Sequence, residues 1–302
     1  MLMRRVTGSD FVYGVWFFAL LCITVLTPLG GIAALLLPIP LTLLVARGQW
    51  RRAGYYVGAA LLILSVLGSI ASALLILLFV SLFAYVLGVG FQRNQVKRAL
   101  VNATLVAIAF FIAGLALMRW SGIAILPLIM AEVKKTLAAD PQITLLGGQS
   151  LGKAVQALQS QVELYFPGFI VIMGGVGTLV NAALTRVLLK KSDSGYEPVF
   201  SRLQFPTIVV GIYFFCFVLL IAGSGQGSLF ASLVSNVFLI ASFLMTIQAL
   251  SLLWFFLGKR PFGVWIMLLA VMLALVSVIG ILYLLLGVMD VIVDFRARAR
   301  KN

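Results

Sequence analysis

Charged residues are missing from six long stretches of this chain, and most of its basic residues lie in the gaps between them. An α-helix needs about 20 apolar residues to cross a bilayer core about 30 Å thick. The three longest stretches exceed one crossing, so each predicts a pair of spans. The pattern therefore predicts an all-α protein, a polytopic bundle of transmembrane helices. The six stretches are 11–46, 53–92, 99–118, 164–185, 203–258 and 261–289.

Clusters of glycine, proline and other small residues divide the long stretches, because glycine and proline cost about 1 and 3 kcal/mol in a helix interior. These breaks fall at 28–31, 68–72 and 223–228. With single spans near 99–118 and 166–189, eight to ten spans are expected. The chain then divides into three segments: N-terminal transmembrane helices (1–118), an extracytoplasmic amphipathic helical insert (119–165), and C-terminal transmembrane helices with a basic tail (166–302).

Lysine and arginine are distributed unevenly between the loops on the two sides. With the N-terminus in the cytoplasm, 14 of them fall in cytoplasmic segments before the tail and 4 fall in the outer segment 119–165. Basic loops remain cytoplasmic, so a cytoplasmic N-terminus is predicted. A cytoplasmic tail requires that 261–289 form a bent hairpin near Gly280, or that the final helix lie in the membrane interface.

The insert 119–165 contains two helical patterns, 123–139 and 150–165, separated by Pro141 and by Gly147 and Gly148. Two interpretations remain open for it. It forms a lid or platform on the outer surface, or it forms two amphipathic helices that rest on the lipid headgroups. The apolar residues that recur on one face of the second pattern are Leu151, Val155, Leu158, Val162 and Tyr165.

Composition excludes several classes of function. The hydrophobic fraction of 63% exceeds the roughly 45–50% of soluble domains. The net charge of +14 is spread over the loops without a compact basic face, which argues against nucleic acid and favours contact with membrane lipid. Histidine is absent and Asp and Glu total 8, so no enzymatic activity, metal or cofactor is expected. Cys22 and Cys216 lie in apolar stretches and imply no disulfide framework.

One segment resembles a phosphate-binding loop. Residues 147–154 read GGQSLGKA, close to the pattern G-x-x-x-x-G-K-[ST]. Ala154 occupies the position where Ser or Thr would bind magnesium, and the segment lies on the predicted outer side. We therefore interpret the match as a chance similarity.

Small residues recur at four-residue spacing in the span near 166–189, at Gly174, Thr178 and Ala182. Such a stripe lets two helices approach closely. Helix packing is the default interpretation of the stripe, and a binding groove is the alternative.

Uncharged polar residues inside the spans are the candidates for binding a substrate, because a polar group in lipid needs a hydrogen-bond partner. Asn236 and Gln248 are predicted to lie on one helix, about 18 Å apart. The alternative role for each amide is a hydrogen bond between helices. Near the C-terminus, Asp290 and Asp294 are expected to pair with Arg296 and Arg298. The candidate substrate-binding residues are Asn102, Asn181, Asn236 and Gln248.

Six segments of this chain carry a family resemblance. They are LPIPLTLLVARG (37–48), 54–58, 166–168, 236–238, 287–290 and 294–296. They resemble the YybS-like family of uncharacterised bacterial membrane proteins (domain of unknown function 2232). That family is similar in hydropathy to the S components of energy-coupling-factor vitamin transporters, which have about six spans and bind one small vitamin. The resemblance implies the bacterial inner membrane and small-molecule uptake, and it transfers no vitamin-binding residue.

Two functional hypotheses remain open. The first is a binding or transport subunit, resembling an S component, for a small and largely uncharged ligand whose identity is unknown. Energised uptake would then need an ATP-binding-cassette module as partner. The second is a non-transporting scaffold or assembly factor, which would hold a partner membrane protein through the stripe Gly174, Thr178 and Ala182 and through the outer insert 119–165.

Overall fold

A computed structural model describes most of the chain. The described ranges are 8–27, 29–67, 70–122, 148–190, 203–223, 229–257, 262–274 and 276–299, with residues 127, 130–133, 135 and 200 besides. Within these ranges every regular element is a helix, which confirms the all-α prediction. Of the pattern 123–139 the structure describes only residues 127, 130–133 and 135, which are helical; residues 28, 68, 69 and 224–228 of the breaks and the last residues of the tail lie outside the described residues.

Twelve helices are assigned in the described part of the chain. They are α1 (Gly8–Leu26), α2 (Gly30–Leu36), α3 (Pro38–Ala46), α4 (Trp50–Leu67), α5 (Ile70–Gln92), α6 (Val96–Trp120), α7 (Gly148–Lys190), α8 (Ile208–Ile221), α9 (Leu229–Leu257), α10 (Gly263–Ala274), α11 (Ser277–Val293) and α12 (Phe295–Ala299).

Length and composition make four helices of the described part able to cross a membrane. A fifth span results if the pair α10 and α11, bent by 108°, counts as one. Four or five spans are fewer than the eight to ten expected from the sequence. Three further helices are apolar but only 10–17 residues long, which is too short to count as spans: Phe11–Leu26, Gly30–Ala46 and Ile208–Ile221. The four long spans are Ala73–Gln92, Val96–Trp120, Val155–Leu189 and Leu229–Leu257.

The helices form two compact units, and the first comprises Met1–Gly114 with Met173–Glu197. Helix α3 lies at its centre, with every residue from Pro38 to Val45 buried. Helix α5 packs tightly against it, since a Cβ at Gly88 would lie 2.6 Å from the Val45 Cβ. Residues 37–45 are therefore at the core of this unit.

The second unit comprises Leu115–Ile172 with Pro198–Asn302. Helices α9 and α11 touch most closely at Gly287, where a Cβ would lie 1.9 Å from the Met245 carbonyl oxygen. Three residues further along both helices, Gln248 contacts Asp290. Contacts that advance together show that the two helices run in parallel, so both end at the same end of this unit.

The structure corrects the prediction of separate helices at 150–165 and 166–189. A single helix, α7, runs for 43 residues with Pro167 inside it. A proline within a helix removes one hydrogen bond and kinks the axis, but it does not always end the helix. The predicted segments 1–118, 119–165 and 166–302 are defined by membrane side, which the two units do not test.

A bend interrupts the last apolar stretch near the predicted position. Helix α10 ends at Ala274 and α11 begins at Ser277, slightly before the expected Gly280. Asp294 then ends α11 with φ 49°, a left-handed conformation that stops a helix. Because α9 and α11 end together, helix α12 (Phe295–Ala299), which follows α11, lies at the same end of the unit as the last residues of α9.

Candidate functional site

Asn181 on α7 binds the interrupted helix of the first unit. Its Nδ2 donates to the Leu35 carbonyl at 2.8 Å and to the Gly177 carbonyl at 2.9 Å. Pro38 and Pro40, at the start of α3, supply no N–H to the carbonyls four residues before them, and Leu35 lies between the two residues that carry these carbonyls. Asn181 therefore ties α7 to the last turn of α2, beside the break between α2 and α3.

Two buried oxygen atoms on α7 remain without a hydrogen-bond partner among the described residues. They are Oδ1 of Asn181 and Oγ1 of Thr185, whose side chains are 1% and 0% exposed. Residues four apart in a helix lie on the same face, so these atoms belong to one surface, which we call the Asn181–Thr185 pair. A buried oxygen without a hydrogen bond lowers the stability of the folded protein, unless a ligand or water supplies the missing bond.

Asn236 on α9 bridges the backbone of α7 at its proline. The Gly168 N–H donates to Asn236 Oδ1 at 2.6 Å, and Asn236 Nδ2 donates to the Leu164 carbonyl at 2.8 Å. Nδ2 also donates to the Ser232 carbonyl at 2.7 Å. Every polar atom of this amide is thus used within the protein.

The position of Asn236 has a simple physical reason. In a regular helix the Gly168 N–H would bond to the Leu164 carbonyl, and a proline such as Pro167 disturbs the hydrogen bonding of the turn around it. Asn236 inserts between these two groups and satisfies both. A side chain at position 168 would prevent this, since its Cβ would lie 2.8 Å from Asn236 Oδ1.

Gln248, twelve residues after Asn236 on the same helix as predicted, belongs to a buried charged cluster. Its Oε1 accepts the Phe205 N–H at 3.1 Å and its Nε2 donates to Asp290 at 2.5 Å. Arg296 pairs with Asp290 at 3.0 Å and donates to the Leu203 carbonyl at 2.7 Å. We call Gln248, Asp290 and Arg296 the buried cluster.

The buried cluster forms hydrogen bonds with the non-helical segment 203–206, which precedes α8. The Ser251 hydroxyl donates to the Leu203 and Phe200 carbonyls. The predicted pairing of Asp290 with Arg296 is confirmed, whereas Asp294 accepts from the Gln204 side chain at 2.8 Å. Backbone groups of the segment thus bond to side chains of the bundle in place of the hydrogen bonds that they would form in a helix.

The family described as "Predicted membrane protein (DUF2232)" matches residues 15–291. The chain belongs to this family. It is also 25% identical over 276 residues to "Uncharacterized protein YybS" of Bacillus subtilis (strain 168), with 87% of each chain covered. No solved structure matches it.

Family membership confirms the resemblance to the YybS-like family, though not the similarity to S components, and identifies the chain as a predicted membrane protein with several apolar helices. The match includes Pro38, Pro167 and Asp290. The polar contacts described above therefore lie within the region that defines the family, apart from those of Asp294 and Arg296.

The remaining candidates from the sequence lie elsewhere in the structure. Asn102 is exposed on α6. In the stripe, Thr178 and Ala182 are buried, and a Cβ at Gly174 would lie 3.2 Å from the Ile108 side chain of α6. The stripe therefore packs inside the first unit, and it does not present the free surface that a scaffold would need.

The segment that resembles a phosphate-binding loop is helical where the structure describes it. Helix α7 begins at Gly148, so residues 148–154 form its first two turns; residue 147 lies outside the described residues. A phosphate-binding loop needs a non-helical backbone whose N–H groups converge on the ligand, which these residues lack.

Sequence reasoning missed Thr185 and Ser251, although a signal for both was available. Each lies in an uncharged stretch, four residues after Asn181 and three residues after Gln248 respectively. Polar residues at these spacings share a helix face with the amides. A search for such pairs within apolar stretches would have found them.

Proposed function

We propose that this protein is a binding or transport subunit for a small uncharged molecule, which the Asn181–Thr185 pair holds inside the membrane. The observation that carries the proposal is the presence of two buried, unbonded oxygen atoms on one face of α7. An amide oxygen only accepts hydrogen bonds, and a hydroxyl donates or accepts. The ligand would therefore be a hydrogen-bond donor.

The interrupted helix beside this pair supports the same function. Irregular backbone at membrane depth is tolerated where it is buried in protein or lines a cavity. Transporters place substrate sites at such discontinuous helices. Here Asn181 contacts Leu35 just before the break at Pro38, so the pair lies beside the discontinuity.

The partner in this proposal is an ATP-binding-cassette module. Residues 148–154 are helical, so this segment does not supply a nucleotide site for energised uptake. Arg186 follows Thr185 directly, and its positive charge disfavours a cationic ligand. If the expected similarity to S components holds, the ligand is a vitamin, and nucleobases are the second class of compound to test.

The Thr185 hydroxyl offers a selective test of this site. We expect Thr185→Val to weaken binding about threefold to tenfold, because one hydrogen bond contributes about 0.5–1.5 kcal/mol. The free variant should be at least as stable as the wild type, since a buried unbonded hydroxyl is removed. Thermal unfolding of purified protein across a panel of vitamins and nucleobases measures both effects.

Thr178→Val is the matched control. Thr178 is also buried, but its hydroxyl already donates to the Gly174 carbonyl at 2.8 Å. Its ligand response should equal that of the wild type. If no compound in the panel stabilises the wild type, or if Thr185→Val binds as tightly as Thr178→Val, the proposed site is wrong.

The proposed orientation places the N-terminus in the cytoplasm. Gln95 and Lys153 are both exposed, and the charge distribution puts them on opposite sides. In a background without the native cysteines, we expect Gln95→Cys to react with an impermeant thiol reagent only after the cells are opened. Lys153→Cys should react in intact spheroplasts. The reverse result would invert the topology.

A further inference from the structure

An open cavity of about 490 Å³ lies on the outside of the first unit. One face of α1, from Phe11 to Cys22, forms one wall, and Tyr56 of α4 forms the other. Phe11 and Val15 are 69% and 54% exposed. We call this cavity the α1–α4 groove. It is separate from the Asn181–Thr185 pair and plays no part in the proposed function.

The shape of the groove is set by Gly14 and Tyr56. A Cβ at Gly14 would lie 2.4 Å from Tyr56 Cζ, so the tyrosine ring packs across α1 only because glycine is present. The ring also meets Phe18 edge-on, with centroids 6.2 Å apart. The groove is therefore an apolar channel along α1 with a fixed aromatic side wall.

Basic residues gather at one end of this channel. The Arg47 guanidinium lies 4.9 Å from the ring centroid of Tyr13, the residue before Gly14. Arg51 lies over the Trp50 ring, and Arg52 is one helical turn before Tyr56. Arg51 is exposed and the other two arginines are partly exposed. The groove thus combines an apolar channel with three arginines at one end, where the single carboxylate Asp10 directly precedes Phe11 in the sequence.

We propose that the α1–α4 groove binds an anionic phospholipid, with one acyl chain along α1 and the phosphate beside Arg47, Arg51 and Arg52. An acyl chain matches the narrow apolar channel, and the lipid phosphate matches the arginines. Tryptophan and arginine at the start of α4 are typical of the headgroup region. A polar ligand would find almost no hydrogen-bond partners along the channel walls.

Native mass spectrometry of the full protein tests this proposal with two lipids that differ only in their headgroups. The probes are phosphatidylglycerol, which is anionic, and phosphatidylcholine, which has no net charge, with identical acyl chains. We expect the wild type to retain phosphatidylglycerol at least about fivefold more than phosphatidylcholine, because each basic residue near a membrane surface favours anionic lipid by about that factor.

Two variants separate the channel from the charges. Ala19 is exposed within the groove, so Ala19→Trp fills the channel and should abolish retention of both lipids. Changing Arg47, Arg51 and Arg52 together to Gln should remove the preference for phosphatidylglycerol and leave weak retention. Ala113→Trp is the control, since Ala113 is exposed on α6 and outside the groove.

The competing results are distinct. Equal retention of the two lipids by the wild type, or unchanged retention by Ala19→Trp, would overturn the proposal. A dimer that Ala19→Trp dissociates would show instead that a second copy of the chain covers the groove. If Ala113→Trp also abolishes lipid retention, the loss in Ala19→Trp is not specific to the groove. This result would contradict the proposal too.

Discussion

Replacing Arg296 with Met should lower the free energy of unfolding by about 3–5 kcal/mol, the cost of removing one partner from a buried ion pair. Arg296 is 4% exposed and its partner Asp290 is 0% exposed. Without the arginine, the carboxylate stays buried next to Gln248 with no compensating charge. Reversible unfolding in mixed detergent micelles, followed by circular dichroism, measures the loss.

Arg298→Met is the matched control, because Arg298 is only two residues away and is exposed. We expect a change within about 0.5 kcal/mol for this surface position. Adding Asp290→Asn to Arg296→Met should recover much of the lost stability, since the uncompensated charge disappears. Equal effects of the two arginine variants would contradict the role assigned to the buried cluster.

Replacing Asn236 with Leu should cost about 1–3 kcal/mol, the usual penalty for leaving buried polar groups without partners. The groups concerned are the Gly168 N–H and the Leu164 carbonyl on α7, which Asn236 bridges. The same unfolding measurement applies. Resistance of α7 to proteolysis near Pro167 should fall in parallel, because the helix loses both hydrogen bonds to Asn236 at this point.

Thr246→Val provides the control for this prediction. Thr246 lies on the same helix, and its hydroxyl donates to the Ser242 carbonyl within that helix. Removing a hydroxyl that bonds only within its own helix should change stability little. If Thr246→Val and Asn236→Leu are equally costly, the bridge to α7 contributes nothing measurable.

The helical membrane fold could be predicted because lipid imposes a local rule on the sequence. Every apolar span must be long and uncharged, and the breaks need glycine or proline. This rule identified the stretches that became α5, α6, α7 and α9. The rule wrongly predicted that a helix would end near Pro167. Asn236, whose side chain bonds to α7 beside this proline, lies 69 positions further along the chain, so the local sequence does not show that the helix continues.

The amides were recognisable as important, but their partners were not. Asn181, Asn236 and Gln248 are polar residues in apolar stretches, which requires a partner inside the bundle. The partners include backbone groups of Leu35, Leu164 and Phe205. Such groups exist at every residue, so the sequence does not distinguish them until helix packing brings a particular one within reach.

The same limit applies to the ligand hypothesis. Four residues were selected for binding, and two of them, Asn236 and Gln248, use both ends of their amides within the bundle. Asn181 retains one unbonded oxygen, and Thr185 adds a second. An amide can bind a ligand only if one of its polar atoms has no partner within the protein. Only the three-dimensional contacts show which atom that is.

Asn236 completes the backbone of α7 where Pro167 interrupts its hydrogen bonding. A double-mutant cycle between Pro167→Ala and Asn236→Leu tests this role most directly, with the free energy of unfolding as readout. Alanine restores the helical N–H and allows regular hydrogen bonding, so the bridge becomes unnecessary. We expect Asn236→Leu to cost about 1–3 kcal/mol with Pro167 present and less than about 0.5 kcal/mol in the Pro167→Ala background, a clear coupling between the two positions. An equal cost in both backgrounds would contradict this role of Asn236.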